Sequence, residues 1–112
     1  MPHISDIHYE ESHLKVLRLL QINPGLSQRD LSQALGVSLG KINYCMRALL
    51  DRGLIKMQSF RGSGNKQGYS YLLTAEGVVV KSELAHKLLQ IKVREYKELC
   101  HEIEELKKEI EK

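Results

Sequence analysis

Two helix-start signals stand close together in the first half of the chain, and they restrict its fold more than any other feature. Ser27 followed by Asp30 has the spacing of a capping box, in which the two side chains satisfy free backbone amides in the first turn of a helix. Gly36 can adopt the left-handed conformation that closes such a helix, and Ser38 then provides a second N-cap. The pattern predicts two helices joined by a very tight turn.

The flanking helices follow from the spacing of apolar residues. A first helix is predicted over about residues 8–22, because leucines recur at helical intervals until Asn23-Pro24-Gly25 breaks the pattern. The helix that begins at Ser38 should end at Gly53 and bury Ile42, Met46 and Leu49. Its opposite face then carries Lys41, Tyr44 and Arg47, and the spacing leaves open whether Asn43 faces solvent or the protein.

A β-hairpin is predicted after this third helix. Leu54–Phe60 and Tyr69–Leu73 are short segments rich in apolar and aromatic residues, as strands are. The glycine-rich segment between them carries Arg61 and Lys66. Such a tip is basic, and its glycines lack the side chains that would hinder close approach to a partner.

The end of the chain is predicted to form one long helix. Thr74 can cap it, and residues 75–112 contain no proline and one glycine. An apolar stripe with heptad spacing predicts pairing with a second copy through Leu89, Tyr96, Leu99, Ile103, Leu106 and Ile110. Lys92 interrupts the stripe, and the alternative is an amphipathic helix that packs back on its own domain. Flanking charges favour a parallel pair, but the orientation stays open.

The basic residues are concentrated in one part of the chain. Residues 38–74 contain six basic residues and a single acid, whereas residues 75–112 contain eight basic residues and nine glutamates. Alternating signs in the second segment are typical of a solvated helix. The positive charge of the first segment suits a phosphate backbone, with a surface kept basic for solubility as the alternative.

The composition indicates a soluble globular protein. Apolar residues make up 42% of the chain and charged residues 28%, and no apolar run approaches the roughly 20 residues of a membrane span. Residues 1–6 lack the features of a secretory signal, so we expect a cytoplasmic protein without membrane contact. Cys45 is predicted to be a buried thiol, with a redox sensor as the alternative. Cys100 is predicted to be a packing residue, with an intersubunit disulfide as the alternative.

The sequence lacks the motifs of common enzymes. It contains no HExxH, P-loop, GxSxG or GxGxxG pattern. The histidines have no metal-ligand spacing, and each is predicted to lie at the surface: His3, His8, His13, His86 and His101. We expect no catalytic residue, no metal and no cofactor, and the sequence identifies no small-molecule effector.

The order helix, helix, helix, strand, strand, long helix predicts a mainly helical α+β winged helix-turn-helix fold. It would have a three-helix core, a two-stranded wing and a long C-terminal dimerisation helix. Residues 1–74 are predicted to form a DNA-binding domain, and residues 75–112 the dimerisation helix.

In such a fold the third helix enters the major groove of duplex DNA while the wing contacts phosphates. Lysine and arginine can reach phosphates or base edges there. The predicted contact residues are Ser38, Leu39, Gly40, Lys41, Asn43, Tyr44 and Arg47 in the helix, with Arg61 and Lys66 in the wing. Partial core packing of Tyr44 and a merely solvated Arg47 are the alternatives.

Several segments resemble a known family. Residues 26–31, 35–38 and 49–55 resemble the MarR-type winged-helix transcriptional regulators. The hairpin region is similar to the short MarR-type regulators associated with exopolysaccharide gene clusters, on Phe60-Arg61, Asn65-Lys66, Tyr69, Tyr71-Leu72-Leu73-Thr74 and Gly77. The resemblance implies sequence-specific binding of duplex DNA by a homodimer. A repressor that occupies a promoter is the expected use, with activation as the alternative. A winged-helix module that binds a protein in place of DNA is the alternative function.

Overall fold

Four helices and one two-stranded sheet make up the described part of the chain. The computed structural model describes residues 11–61 and 67–111, apart from the side chains of Phe60, Arg61 and Gln67. The elements are α1 (Glu11–Ile22), α2 (Gln28–Leu35), α3 (Leu39–Asp51), β1 (Ile55–Arg61), β2 (Gln67–Leu73) and α4 (Ala75–Glu111). The predicted order and the mainly helical winged-helix fold are confirmed.

The caps of α2 and α3 form as their local sequence predicts. The Ser27 hydroxyl accepts a hydrogen bond from the Asp30 amide, and the Asp30 carboxylate accepts one from the Ser27 amide, each at 3.0 Å. The bond from the Ser27 backbone holds the pKa of Asp30 below its usual range. Gly36 has a φ of 66°, the left-handed conformation, and the Ser38 hydroxyl accepts from the Lys41 amide at 3.0 Å. These contacts fix where the two helices begin and how tightly they are joined.

One apolar core holds the helices together. Ile42, Met46 and Leu49 of α3 are fully buried, as predicted, and so is Cys45. Complete burial of one large apolar side chain contributes about 1.5–3 kcal/mol. The same cluster contains Leu14, Val16, Leu17 and Leu20 of α1, Leu31 of α2, and Val80 and Leu84 of α4. The core therefore holds one face of α3 and leaves the other outside.

His13 shows that the prediction of surface positions for all histidines was wrong. Its side chain is 1% exposed, because it lies four residues before Leu17 and seven before Leu20, on the face of α1 that packs into the core. His86 and His101 are exposed, as predicted. His3 and His8 lie outside the described residues.

Hydrogen bonds connect the turn that ends α3 to the start of α4. Gly53 has a φ of 71°, and the Leu54 amide donates to the Leu49 carbonyl at 2.9 Å, which closes α3 as a Schellman motif. Thr74 then bonds to both turn residues: its hydroxyl donates to the Gly53 carbonyl at 2.7 Å and its amide to the Leu54 carbonyl at 3.0 Å. The same hydroxyl accepts from the Gly77 amide at 3.0 Å, so Thr74 caps α4 as predicted.

The two strands of the wing are antiparallel and extend further towards the tip than predicted. Pairing runs from Ile55 opposite Leu73 to Arg61 opposite Gln67. The prediction ended the first strand at Phe60 and began the second at Tyr69. Backbone hydrogen bonds do not require an apolar side chain, so the ladder continues through positions that the side-chain pattern assigned to the tip. The tip itself, residues 62–66, lies outside the described residues.

Helix α4 packs on the domain with its first half only. It is antiparallel to α1, since Lys81 bonds to Gln21 and the Lys92 ammonium lies 3.3 Å from a carboxylate oxygen of Glu11. All residues from 93 to 111 are exposed. The second half of α4 therefore extends beyond the winged domain.

Candidate nucleic-acid interface

The exposed face of α3 forms an open groove. Tyr44 is 59% exposed and Leu39 47%, and Asn43 and Arg47 are also exposed. The groove has a volume of about 620 Å³ and is lined by Gly40, Asn43, Tyr44, Arg47, Ala48, Asp51 and Arg52. The structure thus brings together four of the predicted contact residues, and it adds Asp51 and Arg52 at the C-terminal end of the helix.

Tyr44 is exposed on one side and contacts a buried residue on the other. Its ring lies 6.2 Å from the buried ring of His13, tilted by 60°, which is a favourable range for an aromatic pair. On its other side the Lys41 ammonium lies 5.8 Å from the ring centroid, close enough for a cation–π interaction. Tyr44 therefore packs partly against the core, as the alternative expected, while more than half of its side chain stays exposed. Tyr44 lines the groove, and Lys41 lies against its ring.

Asn43 faces solvent, which resolves the question that its position on the helix left open. Its side-chain nitrogen donates to the side-chain oxygen of Gln28 at 3.3 Å. Gln28 is the first residue of α2 and was not among the predicted contact residues. The N-cap at Ser27 marks where α2 begins, but only the packing of α2 against α3 places Gln28 beside Asn43.

The first turn of α3 offers space for a close approach. Ser38, the N-cap, is exposed. At Gly40 an added Cβ would meet no heavy atom closer than the Ser38 hydroxyl at 3.9 Å. The backbone N–H groups of a helix N-terminus carry partial positive charge and attract phosphate groups. The predicted roles of Ser38, Leu39 and Gly40 are compatible with this geometry.

A second groove lies between the wing and the turn that precedes α2. It has a volume of about 330 Å³ and is lined by Gly25, Ser27, Gln28, Gly68, Tyr69 and Tyr71. The Tyr71 amide donates to the Pro24 carbonyl at 2.9 Å, which ties the wing to that turn. Of the two predicted wing contacts, Arg61 is the last residue of β1, with its side chain outside the description, and Lys66 lies outside the described residues.

The predicted dimerisation stripe lies on the outside of α4. Its six residues are exposed, from 43% for Ile103 to 83% for Ile110, so they do not pack back on their own domain. Lys92, the charged residue that interrupts the stripe, forms an ion pair with Glu11 of α1 in the same chain. Hydrogen bonds from Lys15 and then from Lys92 hold the pKa of Glu11 below its usual range. The stripe is therefore free of the domain from position 93 onward.

The two cysteines have opposite environments. Cys45 is buried, as predicted, and its thiol donates to the Ser12 hydroxyl at 3.5 Å. Cys100 is exposed, one turn after Tyr96. A hydrogen bond with the Cys100 thiol raises the pKa of the Tyr96 hydroxyl.

Residues 11–61 and 67–111 contain neither a metal-binding cluster nor a membrane-spanning helix. Within those ranges, no group of three His, Cys, Asp or Glu side chains is arranged to hold a metal ion. In the same part of the chain, no helix is both long and apolar enough to cross a bilayer.

The comparisons with known sequences point to one kind of domain. Residues 10–56 match the family model of winged helix-turn-helix DNA-binding domains. The chain is 32% identical over 83 residues to the HTH-type transcriptional regulator PetP of Rhodobacter capsulatus. That alignment covers 73% of this chain and 49% of PetP. The chain thus spans about half the length of this relative.

Solved structures share the fold. The PcaV transcriptional regulator of Streptomyces coelicolor, in complex with its natural ligand, superposes with a TM-score of 0.60 at 25% identity, over 75% of this chain and 58% of that one. A MarR family protein of Mycobacterium tuberculosis, in complex with salicylic acid, gives a TM-score of 0.63 at 23% identity, over 81% and 66%.

Proposed function

For a chain with the winged helix-turn-helix fold found in MarR-family structures, we propose the function of a transcriptional regulator that binds duplex DNA sequence-specifically as a homodimer. The observation that carries the proposal is the groove of α3. Its lining includes Arg47, Asn43 and Tyr44, on the face that the core leaves outside. Lys41 lies next to this lining, with its ammonium over the Tyr44 ring. Basic groups for phosphates and amides or guanidinium groups for base edges are what the major groove requires.

Helix α3 and the wing contact different parts of the DNA in this proposal. Helix α3 enters the major groove, where Lys41 and Arg47 reach phosphates or base edges and Gly40 permits close approach. The wing carries Arg61 and Lys66 to the phosphates beside that groove. Residues 1–74 form the DNA-binding domain in this proposal, and residues 75–112 the dimerisation helix.

A second copy of the chain completes the proposed DNA-binding unit. The stripe of α4 that begins after Lys92 would otherwise leave several large apolar side chains in water. Pairing two stripes covers them and places two winged domains symmetrically. The DNA site would then be a pseudo-palindrome with half-sites about 10 base pairs apart, or a multiple of that.

The biological setting follows from the resemblances. The hairpin residues favour the short regulators associated with exopolysaccharide gene clusters, and occupation of a promoter favours repression. The protein would act in the cytoplasm, without an enzymatic step.

The decisive experiment is a salt series with duplex DNA of random sequence. Each phosphate contact should contribute about −0.9 to the slope of log affinity against log salt. The Arg61→Ala, Lys66→Ala double variant should have a shallower slope and keep the site preference of the parent, because phosphate contacts carry no sequence information. Lys108→Ala, in the last turn of α4, removes a lysine away from the proposed interface and should leave the slope unchanged. Absence of salt-dependent DNA binding by the parent would contradict the proposed function and favour a protein-binding module.

A further inference from the structure

The side-chain amides of Gln28 and Asn43 form a bridge between the two helices of the helix-turn-helix. The capping box at Ser27 fixes the first turn of α2, and Gln28 is its first residue. Asn43 is the fifth residue of α3 and is exposed in the groove. The hydrogen bond from the Asn43 nitrogen to the Gln28 oxygen, 3.3 Å long, joins positions 15 residues apart in the chain.

This bridge leaves Asn43 with one donor and one acceptor. An asparagine amide has two N–H donors and one carbonyl oxygen. One N–H is used by Gln28. The other N–H and the carbonyl oxygen remain, and the bond to Gln28 limits the rotation of the amide about its side-chain torsions.

One base matches that pair of groups in the major groove. Adenine presents the N7 acceptor beside the N6 donor, so an asparagine amide can bind both at once. Guanine presents two acceptors, cytosine a donor, and thymine an acceptor beside a methyl group. Only adenine uses both remaining groups of Asn43.

We propose that Asn43 reads an adenine in each half-site and that Gln28 is the positioning residue that holds its amide for that contact. The inference rests on the proposed function, because it requires α3 to lie in the major groove. Asn43 belongs to the N-terminal half of α3, the part of a recognition helix that contacts base edges. Without Gln28 the amide would have to be ordered on binding, which weakens the contact.

The test is selection of bound duplexes from a random library by the 112-residue chain and by single variants of it. The parent should enrich one adenine per half-site. Asn43→Ala, and Asn43→Asp of the same size, should lose the preference for that adenine by about 5- to 150-fold and keep the rest of the site. Gln33→Ala, which removes an exposed glutamine elsewhere on α2, is the matched control and should select the parent's site.

Variants of Gln28 test the positioning role separately. Gln28→Ala should reduce the adenine preference. Gln28→Glu keeps an oxygen that accepts from Asn43 and should restore that preference, although its negative charge lowers affinity for all duplexes alike. If both variants lose the adenine preference equally, the positioning role is refuted. The side-chain oxygen that Gln28→Glu keeps would then have no effect on the preference.

The outcomes separate this inference from the function on which it rests. A parent that binds no duplex contradicts the proposed function. A parent that selects a site which both Asn43 variants also select, or a base other than adenine at the Asn43-dependent position, leaves DNA binding in place and overturns the adenine contact.

Discussion

Replacing Gly77 by alanine should destabilise the protein, although alanine is the better helix former. Gly77 is buried in the first turn of α4, against the turn that ends α3. A Cβ at this position would lie 2.0 Å from the Leu54 carbonyl oxygen and 2.9 Å from the carbonyl carbon. Nonbonded heavy atoms attract at about 3.5–4.0 Å, so α4 would have to move away from Leu54.

The expected size follows from three contributions. Forced overpacking costs about 1–3 kcal/mol. The movement also stretches the hydrogen bond from the Thr74 amide to the Leu54 carbonyl, a net loss of about 1 kcal/mol. The gain in helix propensity from glycine to alanine is about 1 kcal/mol. The free energy of unfolding should therefore fall by about 1–3 kcal/mol, and a loss of 2 kcal/mol corresponds to about 8–16 °C in Tm for a domain of this size.

The assay is thermal and urea unfolding followed by circular dichroism at one protein concentration, since dimerisation makes stability depend on concentration. Gly40→Ala is the matched control, because its Cβ would enter open space in α3. This control should unfold at or above the parent's Tm, with a gain of up to about 1 kcal/mol. Gly40→Ala should nevertheless bind DNA more weakly, because its methyl group faces the proposed partner.

Two results would refute the reasoning. One is a Gly77→Ala variant as stable as the parent, which would mean that α4 does not dock on Leu54 at this distance. The other is an equal loss in both glycine variants, which would attribute the effect to the substitution rather than to the contact.

Three further predictions concern the dimer, the groove and pH. Replacing Leu99 and Ile103 by Asp should give monomers in sedimentation and remove most of the affinity for the operator. The winged domain should keep its helical circular dichroism, and a dimer that persists would contradict the role of the stripe. Arg47→Ala should lower affinity for the selected site by about 1–3 kcal/mol if the guanidinium reads a base, and affinity for all duplexes equally if it holds a phosphate; full affinity in titrations would exclude both roles. The lowered pKa of Glu11 means that its pairs with two lysines stabilise the fold above the pKa of an unfolded glutamate and are lost as pH falls through the folded value. Glu11→Gln should thus have a lower free energy of unfolding than the parent at neutral pH. The difference should be less than about 1 kcal/mol, because the ion pairs are exposed, and it should vanish in strong acid. A difference that persists in acid would exclude the ion pairs as its cause.

Much of the fold could be predicted from the sequence because helix ends depend on short-range chemistry. The capping bonds of Ser27 and Ser38 join residues three positions apart, and the closures at Gly36 and Gly53 need only a residue that tolerates positive φ. Helical periodicity likewise identified the buried face of α3. The exposed face of that helix was then predicted as the face opposite the buried residues.

The structure decided the features that depend on which elements meet. His13 is buried because its face of α1 packs into the core beside Tyr44 of α3, whereas a polar residue type by itself predicts a surface position. Gln28 joins the candidate interface only because the tight turn brings α2 against Asn43.

The long helix shows the same division between local and tertiary information. Its continuity and its apolar stripe were determined by the sequence of α4 itself, since helix propensity and heptad spacing act within one segment. The role of Lys92 was not, because its partner Glu11 is 81 positions earlier in the chain. Packing of α1 against α4 brings those two charges together, and it thereby decides where the domain ends and the exposed stripe begins.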